Sequence, residues 1–281
     1  MPNIFGLPVL GFGLGLRSDH YQHILDTRPE VGFFEVISEN FMESQGWGRQ
    51  VVDELARGYP FVLHGVSLGI ASTDPLDFEY LGKIKKLRDD IGAKWVSDHL
   101  CWTGVHGINT HQLLPNPYTE EALKVCVEKV KAVQDFYEAP MLLENPSSYL
   151  EFTSSTMHEA DFLRHLCEEA NCGILLDINN VYVSAFNHDL DAFDYIDRIP
   201  HERVVQYHLA GHTKKGDHIL DTHSDHVIDE VWELFKASYP RTGGASVMVE
   251  WDDEIPDFEV LHAEVLKAQA LVEEGAEVAR A

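Results

Sequence analysis

Eight short apolar runs recur along this chain, and seven of them end in a side chain that can bind a metal ion. FVLH closes on His64, WVSDH on His99, LLEN on Glu144, ILLD on Asp177, VVQYH on His208 and VMVE on Glu250, while GFFEVISE closes on Glu35 or Glu39. Only the first run, VLGFGLGLR, lacks such an end. Runs this short and this rich in Val, Ile, Leu and Phe suit strands buried on both faces. Strands are expected at 9–16, 32–37, 61–66, 95–101, 141–145, 173–179, 204–209 and 245–251. Helical patterns fill the intervals. LDFEYLGKIKKLRDDIG, for example, spaces Phe78, Leu81, Ile84 and Leu87 for one helix face, and Thr119 opens another helix as a cap before two acids.

Regular strand–helix alternation is the pattern of a parallel α/β fold, and eight units favour a closed (β/α)8 barrel of the triosephosphate-isomerase type. Such a barrel gathers its strand C-termini at one mouth, where imidazoles and carboxylates from many strands would share a small volume. The length of 281 residues suits one such domain over 1–281, and no Pro/Gly/Ser-rich linker marks a boundary.

Charge and cysteine content narrow the function. With 47 acidic against 21 basic residues the formal charge is −26, a field that opposes a phosphate backbone, so no nucleic-acid partner is expected. The four cysteines (Cys101, Cys126, Cys167, Cys172) form no CxxC pair and no disulfide framework, and only Cys101 falls near a strand end. No run approaches a membrane span, so a soluble, cytoplasmic protein with no membrane partner is expected. Gly11, Gly13 and Gly15 lie inside a strand-like run and read as small barrel residues, not as a dinucleotide loop.

Three segments carry the chemistry. LLENPSS places Glu144 at a strand end stopped by Asn145–Pro146, and ILLDINN places Asp177 there with Asn179 and Asn180 at the turn. In QYHLAGH and DTHSDH, an extended backbone would turn Asp221 and His223 to one side, and His208 and His212 would share a face if their strand persisted. Together these residues point to a multi-metal site. Imidazole with carboxylate and no thiolate suits iron, manganese or zinc, and spacing alone does not separate them.

The ordered set HGVSLGIAS, VSDHLCW, LLENPSSYL, LLDINNVYVSAFNH, HLAGH, LDTHSDH and VEWDDEIP resembles the multinuclear non-haem iron-dependent oxidative (MNIO) enzymes, over nearly the whole chain. The first strand and LPNPYTEEAL are most similar to the bufferin-type branch. The resemblance implies a xylose-isomerase-like barrel holding two to three irons, Fe(II) and Fe(III) together, with O2 as co-substrate. The implied substrate is a cysteine of a ribosomally made precursor peptide, presented by a partner protein. It implies iron ligation by His64, His99, Glu144, Asp177, His208, Asp221, His223 and Glu250, with the neutral Asn180 at a variable ligand position. His212 is then a catalytic side chain that orients a carboxylate or the substrate. Two alternatives stand beside this reading: a zinc- or manganese-dependent barrel isomerase or endonuclease-like hydrolase, and a non-catalytic metal-binding adaptor.

Overall fold

The computed structural model describes residues 3–278. Twelve strands occur among them: β1 (Phe12–Gly15), β2 (Phe34–Ile37), β3 (Phe61–Gly65), β4 (Val96–His99), β5 (Trp102–Val105), β6 (Ile108–Leu114), β7 (Leu142–Glu144), β8 (Gly173–Asp177), β9 (Val204–Leu209), β10 (Thr213–Lys215), β11 (His218–Leu220) and β12 (Ser246–Val249). Eight close into an all-parallel barrel in the order β1-β12-β9-β8-β7-β4-β3-β2. Helices separate them on the outside, so the expected α/β barrel is the observed fold. Each expected strand range contains one barrel strand, which fills 204–209 completely and is shorter than the range at one or both ends elsewhere.

Two antiparallel hairpins were not foreseen. β5 pairs with β6 and β10 with β11, both following barrel strands at the carboxyl rim. Their signals were the dipeptides His106–Gly107 and Gly216–Asp217, where His106, Gly107 and Gly216 take the positive φ that tight hairpin turns require. Phe78 also departs from expectation. It is the first residue of its helix and 52% exposed, resting on Phe136, whereas Leu81, Ile84 and Leu87 are buried as their spacing implies. No helix among the described residues is long and apolar enough to cross a membrane.

The barrel interior is layered by the two-residue period of its strands. A lower layer of Phe33, Val62, Trp95, Leu142, Leu175, Val205 and Met248 plugs the barrel as its own apolar cluster. Two residues further along, six of those strands present Glu35, His64, Ser97, Glu144, Asp177 and Glu250, each no more than 4% exposed. A polar layer therefore rests on an apolar floor. Gly13 belongs to this tight packing, since a Cβ there would lie 2.5 Å from the Phe33 carbonyl oxygen.

A buried histidine–carboxylate centre

Strand register sets the centre. His99 pairs with Glu144 across β4 and β7, and Asp177 with His208 across β8 and β9; Glu144 pairs with Leu175, two residues before Asp177, and the side chains of Glu144, Asp177 and His208 still converge. His64 comes from β3, and Glu250 directly follows β12. Four overlapping groups are close enough to hold ions: His64, His99 and Glu144; Glu144, Asp177 and His208; Glu35, His208 and Glu250; and Asp177, His223 and Glu250. Glu144, Asp177, His208 and Glu250 each belong to two groups, as side chains shared between neighbouring ions would.

Each of the four imidazoles has one nitrogen tied to an acceptor and the other facing the centre. Ser97 Oγ donates to the Leu63 carbonyl and accepts from His64 Nδ1 at 2.8 Å, which leaves His64 Nε2 toward Glu144 Oε2 at 3.1 Å. His99 Nδ1 donates to the Gly65 carbonyl (3.1 Å), and its Nε2 lies 3.4 Å from Glu144 Oε2. His208 Nε2 sits 3.1 Å from Glu35 Oε1 and 3.3 Å from Oε2. Gln206 Nε2 closes that side, donating to Glu35 at 2.6 Å and standing 3.1 Å from the same ring nitrogen. His208 Nδ1 is thus turned toward Glu250 Oε2 (3.0 Å) and Glu144 Oε1 (3.8 Å). His223 Nδ1 meets Asp252 Oδ2 at 3.2 Å, and its Nε2 lies 2.7 Å from Asp221 Oδ1. Imidazoles oriented in this way by carboxylates, carbonyls and hydroxyls are typical of metal ligands.

Orphaned atoms test whether a metal fits. Glu144 Oε2, Asp177 Oδ2, Asn180 Oδ1, His208 Nδ1 and His223 Nε2 are buried without a well-aligned hydrogen bond, the ion-pair separations above notwithstanding. Buried polar atoms are rarely left so, and five around one volume need a common partner. Two ligands of one ion at about 2.1 Å stand about 3.0–3.4 Å apart for right-angled to tetrahedral coordination. The nitrogen–oxygen separations above bracket that range. The residues fit a metal.

Electrostatics agree. Burial alone would lower His64, yet Glu144 prevails and holds it up at about 9. Burial would likewise raise Glu144, but His99, His208 and His64 pull it down to about 2. Asp177 is driven well up by burial and then by Glu144. Without a metal, protons supply the positive charge the carboxylates demand.

The remaining expected residues fall close by, some for reasons other than those expected. β8 ends at Asp177, not at residue 179, and a helix begins at Ile178. Asp177 caps that helix by accepting from the Asn180 N–H (2.6 Å), so it is both cap and member of the centre. Asn180 lies in the first helical turn, donating to Glu144 Oε1 (3.2 Å) and the Asn145 carbonyl (3.0 Å). Asp221 and His223 do meet, but not by strand alternation: β11 ends at Leu220, and His223 adopts a left-handed φ of 46°. The Asp252 N–H holds that turn by donating to the His223 carbonyl (2.8 Å). β9 stops at Leu209, so His212 does not share a strand face with His208. Its Nδ1 donates to Asn179 Oδ1 (2.7 Å), whose amide donates to Asp221 (2.8 Å), and its ring stacks on Tyr182.

Glu35 and Gln206 were not assigned to the site from sequence, although Glu35 was one of two candidate ends for its run. It lies two residues above Phe33 and therefore points inward. Glu39 lies outside the centre on a single turn, accepting from Tyr80 Oη (2.6 Å) and the Val66 N–H (2.9 Å). Cys101 is fully buried, and burial pushes its thiol well up.

Fold and centre together define a closed parallel (β/α)8 barrel with buried clusters that can hold metal ions. Among solved structures the backbone resembles a D-psicose 3-epimerase from Clostridium cellulolyticum (TM-score 0.60, 13% identity, 95% of this chain and 98% of that one). It also resembles endonuclease IV from Thermus thermophilus (TM-score 0.57, 16% identity, 95% of this chain and 100% of that one). At such identities the likeness is one of fold. The chain belongs to the MbnB/TglH/ChrH family of RiPP precursor modification enzymes, whose model matches residues 11–273. A UPF0276 protein of Caulobacter vibrioides is 49% identical over 264 residues, 94% of each chain.

Proposed function

We propose that this protein is an O2-dependent iron oxidase that modifies a cysteine of a ribosomally made precursor peptide. The reading is carried by four imidazoles, each fixed through one nitrogen: His64, His99 and His208 present the other to the shared Glu144 or Glu250, and His223 presents its other to Asp221. His64, His99 and Glu144 would hold one iron. Glu144, Asp177, His208 and Glu250 would hold a second, and Asp177, Asp221, His223 and Glu250 a third, with Asn180 Oδ1 beside them. The donor set is nitrogen and oxygen without thiolate, which suits iron in two oxidation states. Bound iron would supply one-electron redox chemistry and reactivity toward O2, which no side chain provides.

The protein's own groups do the rest. Glu35, Ser97 and Asp252 hold the imidazoles in the ligating tautomer. The apolar floor of Phe33, Val62 and Trp95 closes the barrel beneath the centre, so substrate enters from the rim. His212 is the catalytic side chain in this proposal. With Nδ1 donating to Asn179, its Nε2 carries a lone pair, and burial holds its pKa below the usual value, so it is a neutral proton acceptor at pH 7. A peptide-presenting partner protein would deliver the substrate to the rim.

The test is mass spectrometry of a cysteine-containing precursor peptide incubated with iron-loaded protein, first without oxygen and then in air. Unchanged mass under nitrogen and a change on admitting air are expected. Activity with zinc or manganese alone and without O2 would replace this reading with an isomerase or hydrolase. Tight metal binding with no change in any peptide would leave an adaptor.

A further inference from the structure

A second concavity opens beside the centre and takes no part in it. A cavity of about 580 Å³ lies between the loop after β7, the helix Ile178–His188 and the helices beginning at Glu159 and Ala192. Val181, in its wall, directly follows Asn180, and Ser148 lies on the loop whose Asn145 binds the Asp177 backbone. The cavity and the metal centre therefore share a wall.

Its lining is two-sided. Leu150, Phe152, Met157, Val181 and Leu190 give apolar surface, and Leu150 (65% exposed) and Leu190 (49%) leave large hydrophobic groups open at the rim. The polar side is rich in acceptors. Glu159 Oε1 accepts from Tyr195 Oη (2.9 Å) and Oε2 from Tyr118 Oη (2.8 Å), which fixes the carboxylate and leaves each oxygen a further lone pair. Asn116, only 2% exposed and set between Pro115 and Pro117, lines the same cavity with Oδ1 unpartnered. Three acids (Glu151, Glu159, Asp191) border the space, and no lysine or arginine does. His158 is committed through Nδ1 to the Ala160 N–H, and His188 Nε2 to Ser148 Oγ.

A ligand matching an apolar shaft that ends in acceptors is an alkyl chain tipped by a cation. We propose that this cavity binds a lysine or arginine side chain of the precursor peptide, with its stem along Met157, Val181 and Leu190 and its charge on Glu159 and Asn116 Oδ1. This rests on the proposed peptide substrate. It adds that the enzyme selects peptides with a basic residue near the modified cysteine, an assignment in keeping with the chain's charge of −26.

Two measurements test it. In the first, the 13C-methyl signal of Met157 is followed while Nα-acetyl-lysine N-methylamide or its norleucine counterpart is titrated into metal-free protein, which needs neither iron nor O2. A saturable shift is expected with lysine, about ten-fold weaker with norleucine, and weakened about ten-fold by Glu159→Gln and by Asn116→Ala. Equal binding of the two probes, equal binding to the variants, or no saturable shift would overturn the proposal. In the second, short cysteine peptides with lysine or norleucine nearby are compared as substrates. A lower KM for the lysine peptide is expected, with the preference lost in Glu159→Gln and metal content unchanged. A preference that survives Glu159→Gln would also overturn it. Should no peptide change mass, the oxidase reading fails while the first measurement still decides the cavity.

Discussion

Glu35 offers the sharpest test of how the centre is organised, because it stands in the same polar layer as the ligands and in this proposal is not one of them. Its carboxylate is 2% exposed and 3.1 Å from His208 Nε2. In Glu35→Gln the shape is kept, but one oxygen becomes an NH2 group. Gln206, anchored by Trp95 Nε1 donating to its Oε1 (2.7 Å), already donates toward Glu35 Oε2. The new amide oxygen should take that side, which turns the NH2 toward His208 Nε2. The imidazole must then accept at Nε2 and carry its hydrogen on Nδ1, the nitrogen facing Glu250 and Glu144. Changing a partner of this kind costs about 10–100-fold in metal affinity, or about 1.4–2.7 kcal/mol. The loss should fall on the second ion, the one that uses His208, and spare the one held by His64 and His99. Metal per chain after graded chelator treatment measures this, with circular dichroism to verify folding and imidazole 15N spectra of zinc-loaded protein to report the tautomer. Unchanged chelator resistance together with an unchanged His208 tautomer would refute the reasoning.

Other perturbations follow from the same geometry. Glu144→Ala strips the carboxylate shared by His64, His99 and His208, so most metal should be lost while circular dichroism still reports the barrel; a full metal complement would remove Glu144 from the ligands. Asn180→Asp replaces a donor to Glu144 Oε1 by a second negative charge 3.2 Å away. The metal-free variant should be about 1–3 kcal/mol less stable, yet its metal more resistant to chelator, as denaturation and metal analysis would show. Glu159 gives a pH signature: burial, opposed by hydrogen bonds from Tyr118 and Tyr195, pushes it up to about 7. A raised carboxyl pKa means the unfolded chain releases its proton first. Stability is therefore full at low pH and falls between about 4.5 and 7, by about 1–2 kcal/mol after allowing for cavity water. Thermal denaturation of Glu159→Gln at pH 5 and pH 8 should lack that component, and an identical pH profile would count against it.

The barrel was legible because its strands are buried on both faces and separated by amphipathic helices, so period and order survive in one sequence. The rim residues were legible for the same reason: a strand end is marked by the change from apolar to polar. Glu35 was obscured because its run has two acids on the same side of a two-residue alternation. They are separated by where the strand stops: β2 ends at Ile37, and Glu39 falls on the turn beyond it. The hairpins were obscured because their outer strands are exposed; in β6 the polar sequence INTHQ gives no buried face to read. Asn180 was placed in a turn because Asn–Asn suggests one, whereas Asp177 caps a helix that starts immediately.

These differences bear on how firmly the three candidate ions would be held. His64, His99, Glu144, Asp177 and His208 stand on barrel strands, where ladders on both sides fix the backbone. Asp221 and His223 stand outside any strand, on a turn with a non-glycine residue at positive φ. That turn is held by the Asp252 N–H, by the Asp252 carboxylate on His223 Nδ1, and by Tyr149 Oη accepting from the Asp221 N–H (2.9 Å). Arg17 in turn pairs with Asp252 and lies 3.5 Å from Glu250. A non-glycine residue in this region stores about 1–3 kcal/mol, which a ligand bond offsets only while the clip is closed. An ion depending on this pair is therefore coupled to the segment after β12 through the Asp252 clip as well as through Glu250, whereas the second ion meets that segment only at Glu250. Asp252→Ala should release the third ion at chelator concentrations that leave the other two in place. Loss of all metals in parallel would mean that the centre behaves as one unit and that the turn is no weaker than the strands.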